Sequence, residues 1–96
     1  MTDDRRLIDD ITSRSFARAA LIQLDRAWPA SATLDVFGLG AGTDEHQFSR
    51  DVQFAVDEGL LQYELVMIAG MRTVYRYATI TQHGREIVRG LRLQAG

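Results

Sequence analysis

The sequence predicts an α+β fold: helices first, then a two-stranded hairpin, then a closing helix. Three observations carry this. Phe48, Val52, Ala55 and Val56 recur at i, i+4, i+7 and i+8 ahead of Asp57-Glu58-Gly59, which marks an amphipathic helix and its end. Thr73, Val74, Tyr75, Tyr77, Thr79 and Ile80 gather β-branched and aromatic side chains just after Ala69-Gly70-Met71, the pattern of a strand returning from a turn. Thr81 then precedes an apolar stripe of Ile87, Val88 and Leu91, a capped last helix.

From the N-terminus, Thr2 followed by Asp3 and Asp4 fits a helix cap with acids in the first turn. Leu7, Ile8 and Ile11 give residues 1–13 a helical extension. A first core helix follows over 14–28, carrying Phe16, Ala19, Ala20, Leu21, Ile22 and Leu24. Trp28-Pro29 ends it, because the residue before proline is pushed out of helical geometry. Trp28 is expected to plug the core there; left exposed, it would instead be a good interface anchor. A short helix over 31–38, capped by Ser31 or Thr33 and carrying Leu34 and Phe37, breaks at Gly38-Leu39-Gly40-Ala41-Gly42. Asp44 caps the next helix, 44–58. The hairpin spans 60–80 and the last helix 81–93, with Gln94-Ala95-Gly96 expected to fray.

Ninety-six residues suit one domain able to bury a core. No apolar run approaches the ~20 residues that cross a bilayer, and the start lacks the basic and apolar segments of a secretory signal. Cysteine is absent, which excludes disulfides and thiolate metal sites. A cytoplasmic location with no membrane contact is the expectation. The net charge of −2 is unevenly spread: residues 44–71 hold one Arg against six acids, and residues 72–96 hold five Arg against one Glu. All eleven basic residues are Arg. Guanidinium groups suit phosphate and carboxylate, but coding bias explains the choice as well.

The order helix, short helix, helix, hairpin, helix resembles the winged helix-turn-helix superfamily over residues 14–90. Val56-Asp57-Glu58-Gly59-Leu60-Leu61 is similar to the end of the recognition helix in bacterial regulators of the MarR, ArsR and PadR type. Tyr77-Ala78-Thr79-Ile80-Thr81-Gln82-His83-Gly84 is similar to their closing strand and helix start. A narrower likeness is to small winged-helix proteins of phages and prophages, through Arg18 to Ile22, Gly38-Leu39, and the Gly84 to Gly90 spacing. The chain departs from that group at Ala55, where a larger aliphatic residue is usual, and in the acidity of the 44–58 helix. The resemblance implies a transcriptional regulator or phage-associated protein that binds double-stranded DNA.

On the 44–58 helix, His46, Ser49, Arg50 and Gln53 share one face at i, i+3, i+4 and i+7. In a winged helix this face would enter the major groove, Arg reading guanine and Gln adenine. Arg72 and Arg76 on the hairpin would supply contacts to the backbone. Asp44, Glu45, Asp51, Asp57 and Glu58 oppose this, since duplex affinity rests largely on neutralising phosphate. The alternative is a protein-interaction module whose partner carries a basic surface. Leu7, Ile8 and Ile11 either form a homodimer surface or fold back onto the domain. His46 and His83 lack companions for a metal site, Gly38, Gly40 and Gly42 miss the dinucleotide spacing, and no nucleophile–base pair is evident. The sequence therefore points to no enzyme, no cofactor and no metal.

Overall fold

Phe16, Ala17, Ala20, Leu21 and Leu24 fall on one side of a helix over Ser15–Ala27, and all five are buried. The computed structural model, which describes residues 4–95, is a compact α+β domain built around that helix. In chain order the elements are α1 (Asp4–Thr12), α2 (Ser15–Ala27), β1 (Ala32–Leu34), α3 (Val36–Leu39), α4 (Glu45–Asp57), β2 (Leu61–Gln62), β3 (Leu65–Ala69), β4 (Arg72–Ile80) and α5 (Gln82–Ala95). The Thr2 cap expected for the first helix lies outside the described residues.

Helix α4 begins and ends as its sequence dictates. The Asp44 carboxylate accepts from the Gln47 N–H at 3.1 Å. At the other end Gly59 takes a left-handed φ of 72°, and the Gly59 and Leu60 N–H groups donate to the Val56 and Ala55 carbonyls. Thr81 caps α5 by accepting from the Gly84 N–H at 3.0 Å, and its hydroxyl donates to the Gly59 carbonyl. The two caps thus join the end of α4 to the start of α5. A Cβ on Gly84 would overlap the Leu60 carbonyl oxygen, so the Gly84 of the sequence pattern marks a close backbone approach.

The sheet is antiparallel with β4 at its centre. β1 lies on one edge of β4; β2 and β3 share the other. Leu61 pairs with Ile80, and β3 pairs from Leu65–Arg76 to Ala69–Arg72. Opposite β1 the register slips by a residue, and within that irregularity Tyr77 holds φ 56°, left-handed for a non-glycine residue. One face of the sheet packs on the helices through edge-to-face rings: Phe16–Phe48 at 5.8 Å, Phe48–Tyr75 at 5.6 Å and Tyr63–Tyr75 at 4.8 Å.

Three expectations are corrected. Residues 32–34 form a strand rather than the start of a helix, because the open edge of β4 takes Ala32 and Leu34 as partners. The cap of the shortened α3 is Asp35, which accepts from the Gly38 N–H at 2.6 Å, in place of Ser31 or Thr33. Trp28 does not plug the core. It is 48% exposed and lies beneath the Arg85 guanidinium, 3.8 Å from the ring centroid. The apolar stripe of α1 is spent inside the same chain: Leu7 and Ile11 are buried, and Ile8 fits over Gly90 of α5. His83 Nε2 meets Asp4 Oδ1 at 3.1 Å across the same seam. Of the two roles open to Leu7, Ile8 and Ile11, the fold-back is the one seen within the single chain, with Leu7 and Ile11 buried and Ile8 partly buried.

Candidate functional site

Two surfaces hold the residues singled out from sequence, and they do not coincide. The first is the outer side of α4. His46, Arg50 and Gln53 are exposed there. The Gln53 amide donates to Asp57 Oδ1 at 2.8 Å, so it is tied to a neighbouring carboxylate. Ser49 turns the other way, is half-buried and shares a hydrogen bond with the Tyr75 hydroxyl. Tyr75 has its pKa raised from 10.0: burial raises it most, the Ser49 bond lowers it, and the nearby Tyr63 raises it slightly.

Asp51, one of the acids that the sequence sets around that face, has a fully buried side chain. It points into the seam between α4 and α2. Its carboxylate accepts from the Phe16 N–H at 3.1 Å, the Ala17 N–H at 3.4 Å and the Gln47 amide at 2.6 Å, and Arg14 Nη1 lies 3.3 Å away. Helix α2 has no side-chain cap of its own at Arg14, so a carboxylate from α4 does that work. Arg14 in turn lies over the Phe54 ring at 4.2 Å. The spacing held the signal: Asp51 stands three residues after Phe48 and four before Ala55, on the buried stripe.

The second surface is the β3–β4 hairpin. Ala69 and Arg72 close it around Gly70-Met71, with Gly70 at φ 63°. Strand alternation sends Tyr75 towards Phe48 of α4 and sends Arg72, Val74 and Arg76 to the opposite face of the sheet. There, with Thr33, Met67 and Ala69, they line an open groove of about 380 Å³. Arg72 also lies over the exposed Phe37 ring at 4.9 Å. Neither arginine of the hairpin therefore shares a face with His46, Arg50 and Gln53. Glu45 fills the gap between α4 and the hairpin instead, its carboxylate accepting from the Thr73 N–H at 3.3 Å.

Strand β3 and the turn that follows it are apolar where they meet solvent. Leu65, Val66, Met67, Ile68 and Met71 are all exposed, Ile68 at 73% and Met71 at 88%. In the sequence Leu65 to Ile68 read only as strand and Met71 only as turn. Residues 67–71 run on past Tyr75, the last core ring of β4, and Leu65 and Val66 lie along the open side of β4. Among the described residues no group of His, Asp and Glu could hold a metal ion, and no helix is long and apolar enough to cross a membrane. Comparison with protein-family models, curated proteins and solved structures finds no match to this chain.

Proposed function

We propose that this chain is a winged helix-turn-helix domain used for protein docking, with the β3–β4 hairpin as its wing and contact surface. The observation that carries this is the unbroken run of exposed apolar side chains from Leu65 to Ile68, continued by Met71. Isolated apolar residues are common on surfaces, but a contiguous patch of this kind marks a place where another surface sits. Electrostatics favour the same choice. Asp44, Asp57 and Glu58 are exposed around α4 against the one exposed cation Arg50, so that helix is poorly suited to a polyanion.

A second reading, DNA binding through α4, has one observation in its favour. The inward turn of Asp51 removes a carboxylate from the outer side of the helix and leaves His46, Arg50 and Gln53 there. In this reading the domain is a transcriptional regulator and α4 its recognition helix. Titration of labelled duplex, random and source-genome, at low salt separates the two. Protein docking predicts no saturable duplex binding. Binding that falls steeply with salt and is lost in Arg50→Ala, but kept in Ile68→Glu, would replace the docking proposal with the DNA one.

A further inference from the structure

We infer that the partner seated on the hairpin is a second copy of this chain, joined by antiparallel pairing of β3 with β3 across a two-fold axis at Met67. This rests on the docking role proposed above and names its partner.

Among the described residues β3 pairs with β4 alone, so its outer edge is open. The other side of β4 is closed, by β1 and by the Glu45 carboxylate at Thr73. Proteins blunt an open edge with charge, proline or a bulge. Leu65-Val66-Met67-Ile68-Ala69 has none of these: it is five uncharged apolar residues in unbroken register with β4.

The turn fixes which backbone groups face outwards. A two-residue turn is closed by a hydrogen-bonded pair, here Ala69–Arg72. Alternation then turns the N–H and C=O groups of Leu65, Met67 and Ala69 towards β4, and those of Val66 and Ile68 towards the open edge. A dyad normal to the sheet keeps each face on its own side. Placed at Met67, it sets Val66 of one copy opposite Ile68 of the other, where both can exchange their free N–H and C=O groups. Leu65 then faces Ala69, a large side chain against a small one, and Met67 faces itself. Moving the dyad by one residue either way brings Glu64 or the Gly70 turn into the ladder.

Charge agrees with self-pairing, and the exposed area permits it. Glu64 precedes β3 and Arg72 follows the turn, so the antiparallel arrangement carries the acidic end of each strand towards the basic end of its mate. The exposed fractions of Leu65, Val66, Met67, Ile68 and Met71 set a ceiling of roughly 600 Å² per chain, or about 1,200 Å² for a pair, and edge pairing covers only part of it, which puts the contact at the small, weakly associating end of interfaces.

The test uses the purified full chain. Sedimentation equilibrium should give twice the 10.8 kDa chain mass. Met67→Lys, which sets like charges face to face at an exposed position, should weaken association by about tenfold or more while leaving the far-UV circular dichroism unchanged. The chain has no cysteine, so Met67→Cys gives a clean register probe. Directly opposed residues at this kind of site lie about 4.5 Å apart at Cα and can form a disulfide. Ile68→Cys, displaced diagonally from its symmetry mate, should cross-link far less. A chain that stays monomeric up to about 1 mM overturns the inference. So does a dimer that Met67→Lys leaves intact and Met67→Cys fails to cross-link. A monomer that still forms protein adducts from a photo-reactive residue at position 68 removes only the second copy as partner. A monomer with no such adducts removes the docking proposal too.

Discussion

Asp51 shows how one side chain links two helices. Four groups converge on its carboxylate: the Phe16 and Ala17 N–H groups, the Gln47 amide and the Arg14 guanidinium. Removing it leaves the start of α2 uncapped and a guanidinium beside an apolar seam. Asp51→Ala should therefore lower stability by about 3 kcal/mol, read by urea denaturation, whereas Asp51→Asn, which keeps an acceptor, should lose less. Tyr75 sets a limit at high pH. Burial raises its pKa in the folded state, so folding keeps the phenol protonated. That contribution is fully present below the unfolded value of 10.0 and is lost as pH rises from there through the folded value. Stability should accordingly fall above about pH 10, and Tyr75→Phe should flatten that part of the curve, measured as Tm against pH.

Among the elements, those specified by local pattern were legible in the sequence. The stripe of Phe48, Val52 and Ala55, the Gly59 terminus and the Thr81 cap lie within a few residues of what they determine, and the structure places α4 and α5 where those residues indicate. Strand β1 was not legible. Three residues carry too little periodicity, and Ala32 and Leu34 become a strand only because Ala78 and Tyr75 stand beside them from far along the chain. The contacts of Trp28 were hidden for a similar reason. Arg85 and Arg92 both reach Asp25, at 3.1 and 3.2 Å, and that pairing draws the Arg85 guanidinium onto the indole. Gly84 was visible as a motif but not as a cause. With its Cα set against the Leu60 carbonyl, Gly84→Ala should push α5 off the end of α4 and cost about 3 kcal/mol, seen as a lowered denaturation midpoint with an unchanged m-value.

At the scale of the whole molecule, most of the exposed large aliphatic side chains gather on one hairpin. The domain measures 41 × 25 × 23 Å, and α1 is folded against α5. The charge pattern of the sequence located the arginines of residues 72–96 but not their directions. Arg72 and Arg76 face away from α4, and Arg85 and Arg92 are engaged by Asp25. What the sequence concealed most fully was the apolar hairpin, because Leu65, Val66, Met67 and Ile68 would look the same in a buried strand. Site-specific photo-crosslinking in the source cells separates the hairpin from α4 as the working surface. A photo-reactive residue at Ile68 should yield protein adducts, and one at Arg50 should yield none to nucleic acid. Nucleic-acid adducts from position 50, with none to protein from position 68, would contradict the assignment of binding to the hairpin.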